Sequence, residues 1–172
     1  MIPAYDRDEK IKFRGGLVCI CCAVSLPWVE YAMLEAGVIK YNLDFYQFGY
    51  RTDVAASART HAAGQMIDVG QYSDAALKIW REFGYMMQHR TPAQGFTHHG
   101  HGGPKGCPHG SNGTAKKPGA KQQEAAWNRG KDGLKQNLAI TGPGPKGAAT
   151  PKWDTALAAY LKKIGAPPIQ TS

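Results

Sequence analysis

Thr60-His61-Ala62-Ala63-Gly64-Gln65-Met66-Ile67-Asp68 is the stretch on which the reading of this chain turns. A histidine followed by a glycine and then an aspartate at this spacing fits a loop running into a strand, with Gly64 where the backbone approaches closely. His61 then comes from the loop and Asp68 from the strand. Zinc accepts imidazole nitrogen and carboxylate oxygen, and a catalytic zinc keeps three protein ligands and an open position. One more ligand is needed.

It is supplied by Phe96-Thr97-His98-His99-Gly100-His101. On a strand, side chains alternate between faces, so His99 and His101 share a face and His98 points away. One of the pair can bind metal while the other stands beside the reacting water. Spacing alone leaves open which is the ligand. Four of the six histidines, His61, His98, His99 and His101, fall in these two motifs.

The surroundings read as a small α+β domain, a mainly antiparallel sheet with helices packed on one side. Residues 2–13 read as an arm. Residues 27–35 read as a helix, with Trp28, Val29, Ala32 and Met33 at helical spacing, Pro27 at its first turn and Gly37 at its end. Residues 43–50 are aromatic-rich and read as a strand, and residues 65–69 as a second. Ser73 is a candidate N-cap for a helix over residues 74–83 that Gly84 ends. Strands are expected over residues 85–89 and 98–101. Residues 102–121 are rich in Gly, Pro and Lys without apolar periodicity, which reads as an extended loop. A short helix is expected over 122–129 and an amphipathic one over 153–164. The domain organisation expected is a core over residues 1–101, a segment over 102–149 that completes it, and a C-terminal helix and tail over 150–172.

The chain has 172 residues and 42% hydrophobic content, enough for one domain with a real core. Its formal charge of +8 favours polyanionic surroundings in general. No helix-turn-helix, finger or basic–aromatic strand pattern accompanies the charge, so no nucleic-acid partner is expected. Cys19, Cys21 and Cys22 sit in an apolar run and read as buried thiols acting as small hydrophobes, and Cys107 lies in a Gly/Pro/His loop. The four lack zinc-ribbon spacing. No signal peptide is evident, and the apolar run over residues 17–26 is too short to span a bilayer.

The His61–Gly64–Asp68 motif followed by His99-Gly100-His101 resembles the D-alanyl-D-alanine carboxypeptidase (VanY-like) and hedgehog-type zinc peptidase group. That group carries a Ser-x-His-x-x-Gly-x-x-x-Asp motif and a later His-x-His or Glu-x-x-His element. Gly49-Tyr50-Arg51-Thr52 is similar to the segment that often precedes the first motif. Phe13-Arg14-Gly15, Ser57, Arg90-Thr91-Pro92 and Asn128-Arg129-Gly130-Lys131-Asp132-Gly133-Leu134 resemble a set of peptidase-like proteins from actinobacteria and their phages. Two departures stand out. Arg59 occupies the usual serine position, and His98 precedes the His-x-His pair where tryptophan is frequent.

The resemblance implies a zinc peptidase acting on peptidoglycan peptides, at a D-Ala-D-Ala end or an L-Ala-D-Glu link. It implies His61, Asp68 and His101 as zinc ligands. With no glutamate at the Glu-x-x-His spacing, His99 takes the acid–base part, and Arg51 pairs with substrate carboxylate or the developing oxyanion. The site of action implied is the bacterial cell wall, reached by lysis or on a phage particle, with the C-terminal tail suited to docking on a larger assembly. The competing expectation is a non-catalytic, zinc-stabilised structural or virion component that keeps the fold.

Overall fold

The structure, a computed structural model, describes residues 10–14, 16–47, 66–106, 113, 118–134, 136–147 and 162. His61 and Arg51, and with them the loop before the second strand, lie outside the described residues, as do Cys107 and the helix expected over residues 153–164.

The first described residues form a hairpin, whose leading strand takes up the end of the arm expected over residues 2–13; residues 2–9 lie outside the described residues. Strands β1 (Lys10–Phe13) and β2 (Gly16–Cys19) pair antiparallel from Lys10↔Cys19 to Phe13↔Gly16. Two residues connect them, and Arg14 takes the left-handed backbone (φ 47) that such a short connection needs. The Arg14 guanidinium pairs with the Glu30 carboxylate, which also accepts from the Leu43 backbone N–H at 3.0 Å, tying the hairpin to the next helix.

Helix α1 spans Ile20–Glu35, so Pro27 lies inside it and not at its start. The correction has a physical cause. Cys22, Leu26, Val29 and Met33 form a buried stripe at helical spacing, but Trp28, Tyr31 and Leu34 on the outer face are also apolar. With both faces apolar, periodicity does not mark where the helix begins, and proline looks like a boundary. Cys19, Cys21 and Cys22 are fully buried thiols in the core, as expected.

The main sheet has four strands, β3 (Phe45–Gln47), β4 (Ile67–Val69), β5 (Gln88–Arg90) and β6 (His99–Gly102), in the order β3-β4-β6-β5 with every pair antiparallel. Helix α2 (Asp74–Glu82) precedes β5, and Ser73 Oγ accepts from the Ala76 N–H at 3.2 Å as the predicted N-cap. A short 3-10 turn (Pro92–Gln94) links β5 to β6. Helix α3 (Ala120–Asn128) follows.

The coarse α+β class holds, but helices cover both faces of the sheet. Ile67 and Val69 share a core with Leu26, Val29 and Met33 of α1 and Ala76, Leu77 and Trp80 of α2. Met66 and Met86 instead pack with Ala120 and Trp127 of α3. The expected one-sided packing fails because β4 alternates: Ile67 and Val69 face one layer, Met66 and Asp68 the other. Among the described residues, no helix is long and apolar enough to cross a membrane.

Candidate metal centre

Strand β6 lies between β4 and β5 and reads His-Gly-His-Gly. The alternation places a histidine on one face and bare backbone on the other. A Cβ on Gly102 would lie 2.5 Å from the Met86 carbonyl oxygen and 2.7 Å from Met87 Cα. A Cβ on Gly100 would crowd Val69 Cγ2 at 3.0 Å. The glycines therefore let the core layer close on the strand, and the histidines project to the α3 side.

Register then builds the site. Asp68 on β4 and Gln88 on β5 both pair directly with His101, and Arg90 on β5 pairs with His99. Directly paired residues of antiparallel strands share a face. Asp68, His99, His101, Gln88 and Arg90 thus form one polar patch in an otherwise apolar sheet. All five are buried, each at most 9% exposed.

Within the patch, His101 Nδ1 is 2.7 Å from Asp68 Oδ1, and His99 Nε2 is 3.8 Å from the same oxygen. The two imidazoles meet edge to face, 6.4 Å between centroids at 89°. One ligand atom from each of Asp68, His99 and His101 lies within 4.8 Å of the others, so the three form a group that could hold a metal ion. Two nitrogens and a carboxylate oxygen are a donor set that suits zinc.

Neighbouring groups orient both rings. His99 Nδ1 lies 2.7 Å from the Thr97 carbonyl oxygen, an acceptor that takes the Nδ1–H and turns Nε2 toward Asp68. His101 Nε2 lies 2.9 Å from Gln123 Oε1 of α3. With Asp68 at one nitrogen and Gln123 at the other, the His101 ring cannot rotate. Gln123 can present its carbonyl or its amide group to Nε2, so it accommodates either ring tautomer. Phe96 stands edge-on to His99 at 5.9 Å and is 41% exposed, forming the outer wall.

The cationic member is Arg90. Burial pushes its guanidinium down to about 10, against the pull of Asp132 and Asp68, so it stays charged at neutral pH. Its Nη1 reaches Gln88 Oε1 at 3.5 Å, and Gln88 Nε2 donates to the Asp132 carbonyl oxygen at 3.2 Å. On the opposite face His89 stacks on Tyr72 at 4.5 Å and meets His98 Nδ1 at 2.9 Å. Burial, with His98 and His99 adding, holds His89 below the usual histidine range.

The structure brings together Asp68, His101 and His99 of the residues singled out from sequence. His99, expected beside the metal as the acid–base group, is near enough to be a ligand itself. Sequence reasoning missed Gln123, Gln88 and Arg90 as members of the site. Arg90 was visible only within Arg90-Thr91-Pro92, and nothing local marks Gln123, whose place depends on how α3 docks. No family model, curated protein or solved structure matches the chain.

Proposed function

We propose that the chain is a zinc-dependent peptidase that hydrolyses peptide bonds of bacterial peptidoglycan, as a D,D-carboxypeptidase or an L-Ala-D-Glu-type endopeptidase. The observation that carries this reading is the gathering of Asp68, His99 and His101 on one buried sheet face within ligand reach of one another. Asp68 and His101 hold the metal, with His61 as the third ligand. Bound zinc supplies Lewis acidity and a hydrolytic nucleophile at neutral pH.

The remaining work falls to the side chains. His99 Nε2, with its Nδ1 proton committed to Thr97, accepts a proton from the attacking water and returns it to the leaving amine. The amide C–N bond breaks, water adds across it, and a carboxylate and an amine leave. Arg51 pairs with substrate carboxylate or the oxyanion. Gln123 and Asp68 keep the His101 ring from turning, and Phe96 limits the approach of solvent. Action at the cell wall, after lysis or from a phage particle, follows from the same reading.

One observation favours a second reading, a non-catalytic zinc-stabilised structural or virion component. His101 is held at both ring nitrogens and is 8% exposed, as a closed site would be. The deciding experiment is zinc content together with hydrolysis of purified peptidoglycan, with and without a chelator. Chelator-sensitive cleavage by zinc-bearing protein establishes the peptidase. Zinc retained with no cleavage of any wall peptide selects the structural reading, and absence of zinc at neutral pH overturns both.

A further inference from the structure

Arg90 carries a feature that the metal centre does not use. It is 2% exposed, and among the described residues its Nη2 has no hydrogen-bond partner. Among the described residues it makes no ion pair, although Asp132 and Asp68 both act on its charge. Leaving a buried donor unmade costs about 1–3 kcal/mol, and more for a charged group. Such a group is explained when something else accepts its hydrogen bond.

The position says what that is. Arg90 pairs directly with His99 across β5 and β6, on the face that carries Asp68 and His101. Such neighbours have Cα atoms about 4.5–5.5 Å apart. Side chains of such a pair stand next to each other on the sheet face, so the guanidinium neighbours the histidine group. The guanidinium fork matches a carboxylate. Phe96 lies over the guanidinium at 6.0 Å and is itself exposed.

We propose that Arg90 is the specificity residue of this site, holding the free α-carboxylate of the residue on the leaving side of the scissile amide. The inference rests on the peptidase reading. It gives the carboxylate to Arg90, leaves the oxyanion to Arg51, and identifies what the two candidate substrates share. A terminal D-Ala bears a free α-carboxylate on the carbon that carries the scissile nitrogen. So does a D-Glu joined onward through its γ-carboxyl. Peptides whose α-carboxyl is amidated lose that contact.

The test is binding of short peptides to the zinc-loaded full chain by calorimetry. The probes are acetyl-D-Ala-D-Ala and an acetyl-L-Ala-D-Glu peptide extended through the γ-carboxyl, each as the α-carboxylate and as the α-carboxamide. The expected result is that one of the carboxylates binds more than about tenfold tighter than its amide, the ratio a charge-assisted hydrogen bond supplies. Which peptide shows it identifies the substrate. Arg90→Gln should erase the ratio without changing zinc content, and Arg90→Lys should retain part of it. Equal binding of acid and amide by the parent protein overturns the proposal, as does no binding of any probe or an undiminished ratio in Arg90→Gln. If Arg90→Gln does not fold, Arg90→Lys carries the comparison, and an undiminished ratio there overturns the proposal. An Arg90-dependent ratio without cleavage leaves the carboxylate site standing and removes only the peptidase reading.

Discussion

Asp68 and His101 are direct cross-strand partners on β4 and β6, and their side chains meet at 2.7 Å between Oδ1 and Nδ1. Tetrahedral zinc bonds at about 2.0–2.2 Å would set those two atoms somewhat further apart. The pair is therefore set by the sheet register, and an ion between the two atoms would need only a small opening.

Asp68→Asn and His101→Ala should each weaken zinc binding by at least about 100-fold, beyond the 10–100-fold typical of changes outside the ligand shell. Competition with a chromophoric chelator measures this. Zinc held equally tightly by Asp68→Asn would remove the aspartate from the site.

Gln123→Ala tests the outer support. The His101 ring loses its Nε2 partner but keeps Asp68. Zinc affinity should fall by about 10–100-fold with the fold intact by circular dichroism. An unchanged affinity would mean that α3 covers the site without orienting it.

His89 gives a pH signature away from the metal. Its imidazole sits below the usual histidine range, chiefly through burial. The unfolded chain therefore takes up that proton at a higher pH than the folded chain does. The His89 contribution to stability is fully present above about 6.5 and is lost as pH falls from there through the folded value. Urea denaturation of chelator-treated protein at pH 7.5 and 5.5 should show a smaller loss for His89→Asn than for the parent. A larger loss in the variant would reverse the sign assigned here.

Gly102→Ala should destabilise the fold by roughly 1–3 kcal/mol or more, because the new methyl meets backbone that cannot step aside. Gly37→Ala, at φ +70 with open space around the missing side chain, pays only the backbone strain. Thermal melts of the two variants compare steric closure with conformational preference. Equal shifts would remove the argument that β6 needs its glycines.

Much of this was legible from local chemistry. Ser73 was readable as a cap because capping is decided within one turn, and β6 because alternation is decided within four residues. The start of α1 was not, since Trp28, Tyr31 and Leu34 give its outer face the same apolar character as its buried one. Asp68, with one of His99 and His101, followed as candidate ligands from residue type and spacing, and only the resemblance singled out His101. Gln88 and Arg90 did not, because only the β5–β6 register places them beside the histidines. Gln123 depends on a helix twenty residues downstream folding back on the sheet, which no pattern near His101 announces.

The glycines of β6 have one more effect. The strand gives the hydrophobic interior only main chain, and every side chain it owns faces the polar patch. Chemistry and architecture are thus written on opposite sides of one short ribbon. Replacing His99 or His101 removes no packing from the layer beneath, so the donor set on that face can be exchanged, weakened or abandoned while the scaffold persists. The polar face is free to drift without dragging the fold along with it.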